Sequence, residues 1–579
     1  MSKVNQAMED LLRYNAAILP QKRSVFNKSH GHTTTLDSGY IVPLMWDRVL
    51  PGDEKKIRYS GLARMATPKV PVMDEAKFDV ACFFVPDRLV WEHAREFYGE
   101  NKDASFNPDG EYIIPYLKPS QYMVDSENDV PGIGFQSLND YFGFPVMNHY
   151  NSSSQDINEN ESFRVTSFLH RGYQLIWNYY YRNSSIQPAL QLSTGDNVTD
   201  SEWNVIKHIR QACKFPDYFT SMLIEPQAGD DVLLPLGDKA PVVTGYRHSA
   251  NESDGSAFGL TWRDSTMNAN PNYTALLAVR GNNVGDYMTR EAPTSESLTG
   301  GLIYPNNLWA DLTYASAATI NNLRAAITVQ QLLEIDAMAG KRYQQILQAH
   351  FGVFTPDGTL QQPELCGLCR QNVGMRQVLQ TSASSDGSPL GQTAAFSATN
   401  ISNELICNKA FTEPGTLFVL GVVRPVVSYS QGLDPLLTKL HRYDHYWPVF
   451  DNLGNQPVPV SAIYLTDTGV ADLQSLERVG DEVFGYAEAW TEYRIKQNRV
   501  SGFMRPDIPG SLGVWNYSMN FSDIPMLNSE FVTVHPETME RSLAFSAESG
   551  VSQFIVDSYF DYLDTKSMGV HSIPGLTRL

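Results

Sequence analysis

The sequence is short of cysteine, of charge and of basic residues, and each shortage excludes something. Five cysteines, Cys82, Cys213, Cys366, Cys369 and Cys407, are scattered over 579 residues. An odd, widely spaced set makes no disulfide framework and fits a reducing compartment. Charged residues are only 19%, and acidic ones outnumber basic ones by 64 to 44, for a net charge of −20. A protein that grips nucleic acid with its whole surface carries a basic excess, so any such contact here must be local or assisted. Long hydrophobic runs are absent as well. The densest, Leu417 to Val427, contains Arg424 and Pro425 and is too short to span a bilayer. The N-terminus, MSKVNQAMED, has no apolar segment of the secretory kind, and no membrane insertion is expected.

The chain also lacks the motifs of common chemistries. It has no G-x-S-x-G, no P-loop and no G-x-G-x-x-G after a strand. His30-Gly-His32 with Asp37 is similar to half of a cupin metal motif, but Pro414-Gly415 is not followed by the required histidine. Cys366-x-x-Cys369 is half of a zinc pattern without a second pair, and Cys407 alone cannot complete four ligands. His441, Asp444 and His445 lie among Tyr443, Tyr446 and Trp447, which reads better as a hydrogen-bonded aromatic elbow than as a catalytic cluster. No catalytic residue, cofactor or metal ligand is expected, and the protein reads as a non-enzyme.

What is present is aromatic and proline-rich. Tyr (29), Phe (27) and Pro (33) are plentiful, and hydrophobic residues make up 42%, enough for a large core in a β-rich protein with ordered loops. In Ala76 to Glu100, Phe78, Val80, Cys82 and Phe84 alternate with Lys77 and Asp79, a half-buried strand. Thr416 to Asp434 reads as a buried strand leading into a turn, and Phe554, Val556, Phe560 and Tyr562 share one face of a last strand. GYQLIWNYYYRN (Gly172 to Asn183) is an aromatic helix, with a second helix near Glu202 to Cys213. The stretch Asn306 to Phe354 has no proline. It predicts two helices broken at Gly340, the first presenting Ile320, Leu323, Ile327, Leu332 and Leu333 as an apolar side that would lie against a sheet.

Several of these blocks read as more than periodicity. SHGHTTTLD, ATPKVPVMD, FFVPDRLVW, ATINNLRAAITVQQLLEIDAMAGKRY with HFGV, the PDxxLQxPE pattern, YDHYWPVFDNLG and EVFGYAEAWTEYRIKQNRVSGFMRP together resemble the major capsid proteins of the gokushoviruses. These are small icosahedral single-stranded DNA phages within the Microviridae. The likeness runs from Ser24 to Leu579 and is weakest in the polar stretch 242–304.

The resemblance implies a mainly β protein, an eight-stranded antiparallel jelly roll of viral capsid type with long loop insertions and a few helices. Its expected organisation is an N-terminal arm (1–30), a first part of the shell domain (31–241), an inserted surface protrusion (242–304) and the remainder of the shell domain (305–579), including central helices over 319–350. It implies sixty copies in a T=1 shell around circular single-stranded DNA. The implied partners are a small basic internal protein, a pilot protein and a host surface receptor. The implied location is the virion, with assembly in the bacterial cytoplasm. The alternative is a large β-rich carbohydrate-active enzyme or lectin, with aromatics and carboxylates lining a groove.

Three groups of residues are candidates for contact. Lys22, Arg23 and Lys28 in the arm, and Tyr493, Arg494, Lys496, Arg499 and Arg505 near the C-terminal third, form local basic patches that could hold DNA phosphates or an internal protein. Arg494 and Lys496 would share a strand face; a solvated or salt-bridged rim is the plainer reading. Arg247, Asn251, Asp254, Phe258, Trp262, Arg280, Asn282 and Tyr287 would belong to the host-facing protrusion. His30, His32, Tyr443, His445 and Trp447 are expected at subunit contacts, where aromatic residues are enriched.

Overall fold

A computed structural model of the chain describes residues 23–100, 112–122, 132–148, 164–230, 232, 242–244, 262–264, 303–305, 308–310, 320–373, 375–379, 393–398, 400–465, 482–544 and 551–571. Its principal strands are β1 (Ser24–Asn27), β2 (His30–Leu36), β3 (Val42–Val49), β4 (Glu54–Met65), β5 (Ala76–Pro86), β6 (Glu364–Val373), β7 (Asn400–Ala410), β8 (Gly415–Pro425), β9 (Asn455–Pro459), β10 (Val483–Glu488) and β11 (Phe554–Lys566). The principal helices are α1 (Asp87–Val90), α2 (Phe168–Ile176), α3 (Asp200–Ile206), α4 (Ile320–Ala339) and α5 (Tyr343–Phe351).

Two antiparallel sheets dominate. One has β11 at its centre, with β1 and β2 pairing along one edge of it and β4 then β7 on the other side. The second runs β6-β5-β8-β3. The protein is thus mainly β with a few helices. β11 alternates strictly, with Phe554, Val556, Phe560 and Tyr562 buried while Ile555, Tyr559 and Leu563 are exposed. This is the pattern of a sheet with one face on the core and one outside. Facing residues of the two sheets, among them Tyr59, Phe78, Phe84, Phe411 and Phe560, form the main core.

The second sheet behaves differently. Phe78, Val80, Cys82 and Phe84 enter that core as expected, but Ala81, Phe83 and Val85 are buried too. They meet a second apolar cluster supplied by Trp91, Phe168, Leu169, Tyr173, Ile176 and Trp177. Strand β5 therefore has no solvent face. Asp79, read as an exposed residue, is 1% exposed and sits between Arg370 and Arg424. Pairing makes that burial tolerable, since an isolated buried carboxylate is expensive.

The aromatic helix is α2, continued by a wider π-type turn over Trp177–Tyr181. The second helix is shorter than expected. Thr199 caps it by accepting the Glu202 amide, and it ends at Ile206, beyond which the chain makes single bridges through Gln211 and Cys213. Glu202 and Arg171 form a buried two-pronged pair at 2.8 and 3.2 Å, fixing α3 to α2.

α4 and α5 flank Gly340 as expected. Gly340 adopts φ +92°, and a Cβ there would meet the Gln345 Oε1 at 2.6 Å, so the break needs glycine. Of the apolar side expected on α4, Leu323, Ile327 and Leu332 are exposed among the described residues and Leu333 is half-buried. The arm also ends earlier than expected: 24–27 and 30–36 are strands paired with β11, while 1–22 lie outside the described residues. By contacts the chain divides into Met1–Ala228 with Glu334–Leu579, and Gly229–Leu333. In the latter, Val242–Thr244 pairs with Leu308–Ala310, and Trp262–Asp264 with Ile303–Pro305. No helix among the described residues is long and apolar enough to cross a membrane.

Candidate functional site

The most distinctive surface begins where β10 ends. Instead of carrying the strand onward, Trp490 takes a left-handed backbone at φ +67°, a conformation costing a non-glycine residue about 1–2 kcal/mol. A helical turn, Thr491–Arg494, follows. The reversal drives the indole inward, where it stacks on Phe450 at 6.3 Å and 18° and donates from Nε1 to the Phe450 carbonyl at 3.0 Å. Lys439 lies over Trp490 at 4.8 Å and Tyr493 at 5.4 Å, and pairs with Glu492. The Tyr493 hydroxyl meets His445 Nδ1 at 3.1 Å, and Arg442 covers Trp447 at 5.0 Å. A cation–π elbow of this kind fixes segment 437–453 against 490–495.

The outer side of the elbow is apolar. Leu440 is 81% and Val449 88% exposed, and Tyr443, Trp447, Tyr493 and Ile495 are exposed beside them. A contiguous apolar patch on a folded chain marks a surface that something else covers. Beneath the elbow lies a cavity of about 600 Å³ whose walls include Phe215, Asp217, Tyr429, Tyr486 and Lys496.

The structure does not place Arg494 and Lys496 on one strand face, because the turn at Trp490 intervenes, and each of the two has its own partner. Arg494 pairs with Glu488 and Lys496 with Asp434 at 3.1 Å. Burial opposes ionisation of Asp434, yet the Leu436 amide and Lys496 hold its carboxyl below the usual value. Arg505 donates to the Ser430 carbonyl at 2.8 Å, and Arg499 is exposed with its backbone bridged to Tyr429.

In the arm, Arg23 donates to the Gly52 carbonyl at 2.8 Å, and Lys28 sits 2.8 Å from both Asp47 and Asp564. Lys22 lies outside the described residues. His30 stacks on Phe560 at 5.2 Å, while His32, two residues along β2, is half-buried. Burial, then its neighbour His30, lower the pKa of His32. Of the protrusion candidates, Trp262 lies on the strand paired with Ile303–Pro305. Arg247, Asn251, Asp254, Phe258, Arg280, Asn282 and Tyr287 lie outside the described residues.

Two groupings escaped the reading of the sequence. One is a buried ion cluster of Lys55, Asp47, Asp53, Asp564 and Lys566 joined by Tyr562. Its members are spread over 520 positions, and no local pattern announces them. The other is a thiol cluster: Cys366 meets Cys82 and Cys407, not Cys369, with all three sulfurs within 4.8 Å of one another. The C-x-x-C spacing pointed to the wrong partner.

Comparison with known proteins identifies relatives along nearly the whole chain. The sequence model of a family described as "Capsid protein (F protein)" matches residues 18–576. The chain is 32% identical to Capsid protein VP1 of Chlamydia phage 1, covering 96% of each sequence. It is 32% identical to Capsid protein VP1 of Spiroplasma virus 4, over 100% of this chain and 99% of that one. It is also 32% identical to Capsid protein VP1 of Bdellovibrio phage phiMH2K, over 95% of each.

Proposed function

The chain belongs to this capsid-protein (F protein) family, whose members matched here are gokushovirus VP1 proteins, and from that premise we propose how it builds its shell. Its role is that of a phage capsid protein, a structural component of the virion and not an enzyme; the carbohydrate-active alternative finds no support. The protomer is an eight-stranded jelly roll. Strand orders β2-β11-β4-β7 and β3-β8-β5-β6 support this, since a double-sheet roll of two Greek keys interleaves its strands in this way. Sixty copies close a T=1 shell around single-stranded DNA, assembled in the host cytoplasm. A small basic internal protein and a pilot protein complete the particle.

The observation that carries the assembly reading is the exposed apolar elbow. Leu440, Tyr443, Trp447 and Val449 are exposed among the described residues and gain burial against another protomer, and cyclic closure needs such heterologous contacts. His445 belongs to the same contact, and His30 and His32 to a second one. The insertion 242–304 faces the host, and Arg247, Asn251, Asp254, Phe258, Trp262, Arg280, Asn282 and Tyr287 are its contact candidates.

The test is a pair of variants. Val449→Asp with Leu440→Asp puts charge on side chains that touch almost nothing in the protomer. Soluble, folded protein with shell yield reduced at least tenfold by negative-stain microscopy is expected; normal shells would remove the elbow from the interface. Replacing 245–299 by a Gly-Ser linker should leave shells intact and abolish adsorption to host cells. Loss of shells instead would make the insertion an assembly element.

A further inference from the structure

Three strands deliver the thiol cluster. Cys82 lies on β5, Cys366 on β6 and Cys407 on β7, so two thiols come from one sheet and one from the other. Both β6 and β7 are irregular at this point. Pairing of β6 with β5 slips between Leu365 and Gly367, which leaves Cys366 as the extra residue. Pairing of β7 with β4 slips between Leu405 and Cys407. Bulges re-aim side chains, and these aim Cys366 and Cys407 at Cys82. The sheets also approach unusually closely here: a Cβ on Gly367 would meet the Ile406 carbonyl oxygen at 2.4 Å.

We propose that Cys82, Cys366 and Cys407 form a three-thiolate site for one soft monovalent d10 metal ion, copper(I), which ties the two sheets together. The sulfurs lie within 4.8 Å of one another. An ion bonded to each at about 2.3 Å sets them about 4 Å apart, so a small inward adjustment suffices. Cys82 and Cys407 are buried and Cys366 is half-buried, which leaves an entrance on the β6 side. The sulfurs' other polar neighbours are weak ones, the Glu364 carbonyl 3.9 Å from Cys366 and the Lys55 carbonyl 3.7 Å from Cys407. Among the described residues, no histidine, carboxylate or fourth thiol joins the group. Structural zinc closes with four ligands, whereas all-sulfur sites select soft ions such as copper(I). Each ligating thiol gives its proton to solvent as the metal–sulfur bond forms, and no electron is transferred. Lys55 and Lys409, beside Cys407, offset the negative charge that results.

The test is anaerobic titration of the full-length reduced protein with copper(I) against bicinchoninate. One equivalent per chain should resist the competitor, with thiolate-to-copper absorption in the ultraviolet and a melting temperature raised by several degrees. Cys82→Ser, Cys366→Ser and Cys407→Ser should each lose that equivalent, while Cys213→Ser and Cys369→Ser keep it. X-ray absorption on the wild-type adduct avoids any dependence on how the variants fold, and three sulfur neighbours are expected. Uptake unchanged in Cys407→Ser, a nitrogen or oxygen ligand in the absorption spectrum, or stoichiometric zinc(II) with no copper(I) would each overturn the assignment.

Discussion

Lys55 and Asp564 face each other across 3.2 Å with neither side chain reaching solvent. Asp53 lies behind them at 4.0 Å, Asp47 at 2.8 Å, and Lys566 holds Asp53 at 2.7 Å. Tyr562 donates to Asp47 and receives from Lys55 at 2.6 Å. Lys55 thus sits at the centre of three carboxylates drawn from β3, the β3–β4 turn and β11, which Lys28 and Lys566 contact from either side.

Removing that cation should be costly out of proportion to its size. Lys55→Met keeps the aliphatic stem but leaves Asp47 and Asp564 without their central partner, and breaking a buried pair costs about 3–5 kcal/mol. Denaturant unfolding of the protomer should show a loss of that order. A loss below about 1 kcal/mol would mean that Lys28 and Lys566 already suffice.

Acid should act through Asp47. Burial alone would raise its carboxyl, but hydrogen bonds from Lys28, Lys55 and Tyr562 bring it down to about 2. A carboxyl depressed in the folded state adds stability that is complete above its unfolded value of about 3.9 and is lost as pH falls toward the folded value. The stability difference between wild type and Asp47→Asn should therefore be largest above about pH 5 and shrink between about pH 4 and pH 2. Urea midpoints across that range measure it. A constant difference would assign the effect of Asp47 to packing.

At the α4–α5 break, Gly340→Ala should destabilise by about 1–2 kcal/mol, because it combines a left-handed backbone with contact on Gln345. Gly340→Asn should recover part of that loss, since asparagine tolerates this conformation. Equal losses in the two variants would point to the steric contact alone.

Binding of single-stranded DNA by the isolated protomer should be weak. Each chain carries −20, about −1200 over the proposed sixty copies, and like charge of that size opposes confinement of a polyanion. Of the local basic groups, Lys28, Arg494 and Lys496 are already paired with carboxylates. Fluorescence anisotropy at ~0.15 M salt should give affinity weaker than micromolar, tightening only with an added basic protein. Sub-micromolar binding by the protomer alone would make Arg23, Arg499, Arg505 and Tyr493 the packaging surface.

How much of this was legible depended on the range of each interaction. The break at Gly340, the alternation of β11 and the buried run of β8 are local, and a window of a dozen residues reveals them. The second buried face of β5 was hidden, because the helix that covers it begins at Phe168, far along the chain. Arg494 and Lys496 seemed to share a strand until Trp490 turned the backbone. The thiol cluster needed two bulges to form, and a one-residue slip reverses which way a side chain points. Tyr443, His445, Tyr446 and Trp447 are neighbours in sequence and were read as one elbow, yet the stacking of Phe450 on Trp490 and the cation over it follow from contacts between 439–450 and 490–494.

Strands β11 and β5 will accept change at very different rates. Along β11, Ile555, Asp557, Tyr559, Asp561 and Leu563 all point away from the main core, so every second position is open to drift or to selection by whatever lies outside. Along β5 nearly every side chain from Ala76 to Pro86 is enclosed, and a polar replacement at any of them has no side on which to emerge. In a mutational scan, β11 should read as a comb of tolerant and intolerant sites and β5 as an unbroken intolerant block. A lineage diversifying its exposed faces can rewrite every second position of one strand while the other stays fixed.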